Sequence, residues 1–156
     1  MEVSNFNLIY NFLSFAIAAF GASTIFFFAQ RSQVAPAYKT ALTLSGLVCL
    51  VAFYHYLRLF ESFGNAYEIS YSYVKETGIP FNVSYRYVGW FLTVPLLLLE
   101  LIIVMRLDKN ETYARGTKLT IAAVLMVILG YPGEALVDPS QLSERMQYWA
   151  LAMIPF

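Results

Sequence analysis

Two ionisable side chains lie inside the third apolar run of the sequence, residues 81–105. Arg86 comes near the start of this run and Glu100 near its end, and steps of three and four residues join them along one helix face. Ionisable residues inside a membrane span are costly, so they are functional candidates. Apolar surroundings disfavour the charged form of Glu100, and a neutral acid that releases and regains a proton suits a proton relay. The alternative is a structural Glu100 that pairs with a neighbouring helix or reaches towards the interface.

The helix face between these two residues carries side chains of several kinds. The same steps of three and four residues lead from Arg86 through Gly89, Thr93 and Leu97 to Glu100. Gly89 and Glu100 are separated by a helix length of about 16 Å. Along this face, a positive charge is followed by a glycine without a side chain, a hydroxyl group, an apolar side chain and a carboxylic acid.

The composition requires a membrane around these residues. The chain has 156 residues, of which 59% are hydrophobic and 13% are charged, and its mean hydropathy is +0.59. A soluble domain carries about 25% charged residues, so a soluble monomer is excluded. The net charge is zero, which argues against a nucleic-acid partner, since such proteins need a basic face. The single cysteine, Cys49, cannot form an intrachain disulfide and suggests neither metal binding nor redox chemistry.

The apolar runs predict an up-and-down bundle of transmembrane helices in a single domain, residues 1–156. The predicted spans are residues 8–29, 41–60, 81–105, 119–137 and 145–156. The last span gives only about 18 Å of helix, against a hydrocarbon core of about 30 Å. We therefore expect a partial sequence that is truncated within its fifth helix.

The charges of the connections predict the orientation. Basic residues mark the cytoplasmic side, and they collect after the first and third spans, at Arg31, Lys39, Arg106, Lys109, Arg115 and Lys118. The amino terminus is then predicted to lie outside. The connection 61–85 alternates at Tyr67, Ile69, Tyr71 and Tyr73, which fits either a small extracellular hairpin or a polar coil.

Residues 86–100, with the sequence Arg-Tyr-Val-Gly-Trp-Phe-Leu-Thr-Val-Pro-Leu-Leu-Leu-Leu-Glu, resemble the third helix of the microbial rhodopsins, especially the proteorhodopsin and xanthorhodopsin group. Residues 54–56, 130–134 and 145–153 resemble the second, fourth and fifth helices of that group. The resemblance covers nearly the whole chain. It implies an all-α membrane protein that comprises helices A–E of a seven-helix fold. It also implies a retinal cofactor on a lysine of the seventh helix, light-driven outward proton transport and a bacterial plasma membrane. The implied partners are retinal, the lipid bilayer and further copies of the chain, since relatives form rings.

The resemblance also assigns roles to individual residues. Glu100 matches the proton donor, Arg86 the arginine that helps to control proton release, and His55 the histidine that partners the counterion. The residues that would line the retinal are Trp90, Thr93, Val94, Leu97, Met126, Gly130, Trp149, Ala152 and Phe156. Aromatic walls suit a conjugated polyene because they provide flat apolar contact. Without the resemblance, each apolar position would be read as ordinary helix packing.

The sequence departs from the family pattern at two points. Gly89 occupies the position of the aspartate that serves as counterion and proton acceptor, and glycine has no side chain for either role. We expect a cavity beside Thr93 that could take water or chloride. In addition, the chain's lysines, Lys39, Lys75, Lys109 and Lys118, fall in connections or at span ends. The chain as given is therefore expected not to form the covalent pigment.

Three functions remain open at this point. The first is a partial rhodopsin of proton-pumping ancestry that is inactive as given. The second is a photosensory or anion-handling rhodopsin, in which the loss of the carboxylate is adaptive. The third is a structural or transporter-like membrane protein that binds no retinal. No Ser-His-Asp set, metal-ligand cluster or phosphate-binding loop in the sequence suggests an enzyme.

Overall fold

A computed structural model describes residues 2–71, 73–136 and 138–155. The longest elements are α1 (Val3–Gln30), α2 (Lys39–Ala66), α3 (Ser84–Val104) and α4 (Lys109–Ala135). A fifth helix, α5 (Leu142–Met153), has 12 residues, and short 3-10 turns precede α2 and α5 at Pro36–Tyr38 and Pro139–Gln141. Each helix packs against the next one along the chain, which gives the predicted up-and-down order.

The helices differ from the predicted spans mainly at their ends. α1, α2 and α4 extend into polar sequence beyond the apolar runs, because backbone hydrogen bonding continues where hydropathy falls. The side chain of Asp108 accepts a hydrogen bond from the Glu111 backbone N–H at 2.9 Å and so caps the start of α4. α3 begins at Ser84, later than the predicted residue 81. Val137, the predicted end of the fourth span, lies outside the described residues.

Within the part of the chain that the structure describes, four helices are long and apolar enough to cross a membrane: α1, α2 with its preceding turn, α3 and α4. Between 11% and 28% of the residues in their most apolar windows are buried within the protein. Large side chains such as Phe12, Phe15 and Ile25 are 65%, 70% and 72% exposed. Such a surface is stable only in an apolar solvent, so the molecule is an integral membrane protein.

The connection between α2 and α3 forms a hairpin, which adds a two-stranded sheet to the expected all-helical fold. Strand β1 (Tyr67–Ser70) pairs antiparallel with β2 (Tyr73–Glu76), and Ile69 faces Val74. Val74 is buried against Phe6 of α1 and Phe63 of α2. The hairpin therefore covers one end of the α1–α2 pair and fixes where α3 begins.

Candidate functional site

The acid at the end of α3 contacts α2 directly. The Ser45 hydroxyl lies 2.5 Å from Oε1 of Glu100 and 3.2 Å from the backbone oxygen of Ala41. Ser45 is only 8% exposed, so this contact is shielded from bulk solvent. A serine hydroxyl has one hydrogen and cannot donate to both oxygens at full strength. The hydroxyl hydrogen is therefore shared between Glu100 on α3 and Ala41 of its own helix, and the shorter contact is the one to Glu100.

At the other end of α3, Arg86 contacts α4. Its Nη2 donates to Oε1 of Glu134 at 3.0 Å, and the guanidinium lies 5.6 Å from the centroid of the Trp90 ring. The side chains of Arg86 and Glu134 are 42% and 18% exposed. The arginine therefore has its negative partner on α4.

Gly89 is buried against α2, and His55 occupies the space beside it. A Cβ atom added at Gly89 would lie 3.2 Å from Cδ2 and 3.3 Å from Cγ of His55. These distances are shorter than ordinary van der Waals contact, so the imidazole ring packs directly on the glycine. The Thr93 hydroxyl, one turn further along, donates to the Gly89 backbone oxygen at 3.0 Å. The absence of a side chain at residue 89 lets α2 and α3 approach closely at this level.

A cavity of about 210 Å³ lies next to this contact, between α1, α2 and α3. Its lining includes four of the predicted retinal-pocket residues, Trp90, Thr93, Val94 and Leu97, together with His55, Arg86 and Gly89. Nδ1 of His55 and Nε of Arg86 are buried, and neither has a hydrogen-bond partner among the residues that the structure describes. Two residues of the cavity lining, His55 and Arg86, thus each carry a buried nitrogen atom without a partner among the described residues.

A second cavity, of about 320 Å³, lies between α3, α4 and α5. It is lined by three more of the predicted pocket residues, Gly130, Trp149 and Ala152, and by Tyr87, Glu134 and Arg145 among others. A Cβ atom added at Gly130 would overlap the Tyr87 hydroxyl oxygen and lie 3.3 Å from Cβ of Ala152. Glycine at this position allows Tyr87 to pass close to α4.

The predicted pocket residues are therefore divided between two neighbouring cavities. Met126 lies half-buried on α4, one turn before Gly130, and lines neither of them. Phe156 lies outside the described residues. Trp90, Leu97 and Trp149 are 42%, 49% and 64% exposed, so much of their apolar surface is not covered by α1–α5.

The sequence reasoning missed the partners of the two ionisable residues on α3. Ser45 is one of several hydroxyls in an apolar helix, and nothing in its spacing distinguishes it. Glu134 carried a usable signal, because it is an acid near the end of a span. Only the packing of α3 on α4 shows that Glu134 is paired with Arg86.

Comparisons with known proteins agree with this architecture. Residues 7–156 match the family model described as bacteriorhodopsin-like protein. The chain belongs to this family of microbial rhodopsins. It is 38% identical over 122 residues to a green-light absorbing proteorhodopsin of Gamma-proteobacterium EBAC31A08, in a match that covers 76% of this chain and 43% of the relative. The chain thus spans less than half of that relative's length.

Two solved structures share the arrangement of helices. The crystal structure of xanthorhodopsin, described as a light-driven ion pump with a dual chromophore, superposes with a TM-score of 0.93 at 41% identity. Thermophilic rhodopsin superposes with a TM-score of 0.92 at 46% identity. Both matches cover 100% of this chain, and they cover 62% and 61% of the two structures, respectively. The fold expectation of a rhodopsin-type helical bundle is confirmed.

The described residues suit the polyene chain of retinal, but those that line the two cavities do not supply its covalent attachment. The exposed apolar faces of Trp90, Leu97 and Trp149 suit a polyene. Retinal of this family is held by a lysine, and no lysine is among the described residues that line the two cavities. Lys39 and Lys109 begin α2 and α4, Lys75 lies in β2, and Lys118 lies in the first half of α4; none of them lines either cavity.

Proposed function

We propose that this rhodopsin binds retinal, that its five described helices supply one wall of the chromophore pocket, and that Glu100 is the proton donor. The Ser45–Glu100 contact at 2.5 Å carries the proposal, because it holds a carboxyl group beside the pocket residues of α3 through a serine that is only 8% exposed. When bound, retinal would supply the light-driven isomerisation, and the nitrogen atom that loses and regains a proton would come from the lysine that holds it. Ser45 donates a hydrogen bond to the Glu100 carboxyl group and so orients it.

We further propose that the chain as given does not complete outward proton pumping. Gly89 offers no carboxylate to accept a proton, and no lysine lies near the two cavities. The basic connections place Arg106 and Lys109 on the cytoplasmic side, so that the amino terminus lies outside and Glu100 faces the cytoplasm. The bacterial plasma membrane and assembly of several copies are parts of the same proposal.

Retinal binding can be tested with the chain alone and with the chain co-expressed with the remaining helices of a related rhodopsin. Mixed with all-trans retinal in lipid nanodiscs, the chain should show no covalent adduct after borohydride reduction and mass spectrometry. Co-expression with the remaining part of thermophilic rhodopsin, which this chain does not match, should restore a coloured pigment. An adduct on one of the four lysines of the isolated chain would refute the proposal. If the co-expressed protein also fails to bind retinal, the result would favour a structural or transporter-like protein.

The role of Glu100 can be tested without retinal. Infrared spectroscopy of the chain should show a carboxylic-acid C=O stretch that disappears in Glu100→Gln and changes frequency in Ser45→Ala, since the hydrogen bond to residue 45 is lost. Thr43→Ala is a matched control, because the Thr43 hydroxyl donates to Lys39 of its own helix at 2.8 Å. A Glu100 that is ionised at neutral pH in the wild-type chain would contradict its assignment as proton donor.

A second candidate function is anion handling. The observation that favours it is the cavity beside Gly89, whose lining includes two nitrogen-bearing side chains, His55 and Arg86, and no carboxylate among the described residues. In the co-expressed pigment, Gly89→Asp should restore light-driven acidification of the medium if the ancestral function is proton pumping. Chloride-dependent light-driven currents in the unmodified pigment would instead support anion handling.

A further inference from the structure

A groove lies between the end of α3 and the start of α4, apart from the two cavities described above. Its volume is about 360 Å³. The α3 wall is apolar and the α4 wall is mixed, and the lining includes Leu99, Ile102, Ile103, Tyr113, Thr117 and Ile121. This α3–α4 groove is not used by any step of the proposed function.

The α3–α4 groove opens away from the predicted retinal pocket. Trp90 lines the cavity between α1, α2 and α3, whereas Leu99 lines the groove. These two residues are separated by about two and a half helical turns, so they lie on opposite faces of α3. Tyr113 and Ile121 on the α4 wall are 78% and 54% exposed. An apolar surface that no described helix covers is in contact with lipid when the protein is in a membrane.

One end of the groove carries a positive charge. Lys109, in the first turn of α4, lies one turn before Tyr113 and therefore on the groove side of this helix. None of the ion pairs in the described part of the chain involves Lys109. The neighbouring acids are engaged elsewhere, since Asp108 caps α4 and Glu111 pairs with Arg115 at 3.1 Å. The exposed Lys109 ammonium is therefore available to a negatively charged partner.

The order of polarity along the groove matches a phospholipid. The cation and the Tyr113 phenol are at one end, and tyrosine rings favour the level of the lipid headgroups. The α4 wall continues from Tyr113 to Ile121 over about 12 Å, which takes the groove from that level into the acyl-chain region. Residues 105–118 carry four basic and two acidic side chains. This excess of positive charge favours an anionic lipid over a zwitterionic one.

We propose that the α3–α4 groove binds one anionic phospholipid, with an acyl chain along the groove and the phosphate between the Lys109 ammonium and the Tyr113 hydroxyl. Both groups donate hydrogen bonds to phosphate oxygens, and the bond from the ammonium is charge-assisted. A second copy of the chain is a poorer match for the same surface. At this level of the membrane it would present the connection between α1 and α2, which holds Arg31 and Lys39 and no acid.

Native mass spectrometry of the full chain, released from detergent micelles, counts the lipids that stay bound. The micelles contain dioleoyl-phosphatidylglycerol and dioleoyl-phosphatidylcholine at equal concentrations, so that only the headgroups differ. We expect the chain to retain one phosphatidylglycerol in preference to phosphatidylcholine.

Two lysine variants provide a matched pair. Lys109→Gln should lower the affinity for phosphatidylglycerol about fivefold, the effect of one lysine on an anionic lipid, and leave the affinity for phosphatidylcholine unchanged. Lys118→Gln removes the same charge from the same helix, about two and a half turns further on and therefore from the opposite face. It should leave both affinities unchanged.

A third variant tests the apolar part of the groove. Thr117→Phe puts a larger side chain into the lining and should weaken the binding of both lipids equally, because their acyl chains are the same. Circular dichroism checks that each variant keeps its helices. If Thr117→Phe does not fold, the two lysine variants still decide the question.

Three results would overturn the proposal. The first is equal retention of the two lipids by the wild-type chain. The second is an equal effect of Lys109→Gln and Lys118→Gln, which would mean that only the overall charge attracts the lipid. The third is a lipid-free dimer that Thr117→Phe disrupts, which would assign the groove to a second copy of the chain. None of these results affects the retinal and Glu100 experiments.

Discussion

At one end of α3, Glu100 lies 2.5 Å from the Ser45 hydroxyl of α2; at the other, Arg86 donates to Glu134 of α4 at 3.0 Å. The first contact joins an acid to a neutral hydroxyl, and the second joins two opposite charges. The Glu100 carboxyl group therefore has a neutral partner, whereas the Arg86 end cannot lose either partner without leaving the other charge unpaired.

The same difference explains how the chain accommodates Gly89. Without a carboxylate on α3, Arg86 is paired with an acid of the neighbouring helix, and the His55 ring packs on the glycine. The Glu100 end retains its acid and its hydroxyl partner. One helix thus has an acid with a neutral hydroxyl partner near one end and an arginine in an ion pair near the other.

The largest expected effect on stability is at the Arg86 end of α3. Glu134→Gln should lower the free energy of unfolding by about 1.5 kcal/mol. This is the lower end of the range for hydrogen bonds to charged groups, because Arg86 is 42% exposed and can turn towards polar headgroups when its partner is removed. Ser45→Ala at the other end should cost less, about 1 kcal/mol. Chemical denaturation in mixed micelles, followed by tryptophan fluorescence, measures both. Equal losses would mean that the two ends are held in the same way.

A smaller effect is expected at the glycine beside His55. Alanine normally stabilises a helix interior by about 0.5–1 kcal/mol relative to glycine. Gly89→Ala should lose this gain, because the new Cβ would lie 3.2 Å from the His55 ring.

Gly64→Ala is the control, since nothing lies within 4 Å of a Cβ at that position. It should show the full stabilisation in the same denaturation experiment. If Gly89→Ala gives as much stabilisation as Gly64→Ala, the close packing of His55 on residue 89 is wrong.

The smallest effect is expected away from both ends of α3, in the turn before α5. The Ser140 backbone N–H and hydroxyl both donate to Asp138 at 2.8 Å, which lowers the pKa of this carboxyl below its ordinary value of 3.8. Because the pKa of Asp138 is lower in the folded state than in the unfolded state, its carboxylate stabilises the folded state at pH values above the unfolded-state pKa. This contribution is lost as the pH falls through the folded-state pKa.

Asp138→Asn should therefore slightly reduce the loss of stability below about pH 4, since asparagine does not titrate. Thermal unfolding by circular dichroism, in wild type and variant across this range, measures the difference. A larger acid dependence in the variant would contradict this role of Asp138.

Sequence reasoning succeeded where a local pattern carried the information. The long apolar runs predicted the helices, and the rhodopsin-like run at residues 86–100 predicted the fold that the comparisons confirm. The connection 61–85 stayed undecided between hairpin and coil, because alternation alone does not show whether Val74 finds a buried partner. In the structure, Val74 packs against Phe6 and Phe63, and the connection forms a hairpin.

The sequence by itself determined which residues are candidates for chemistry: an acid, an arginine and a histidine within apolar helices, and a glycine that cannot carry charge. Helix periodicity placed Arg86, Gly89 and Glu100 on one face because that relation is local to α3. Only the tertiary structure decided their partners, Ser45 for Glu100 and Glu134 for Arg86, because these contacts join residues that are 55 and 48 positions apart in the chain. Such pairs depend on how α2 and α4 pack on α3, and periodicity within one helix contains no information about that packing.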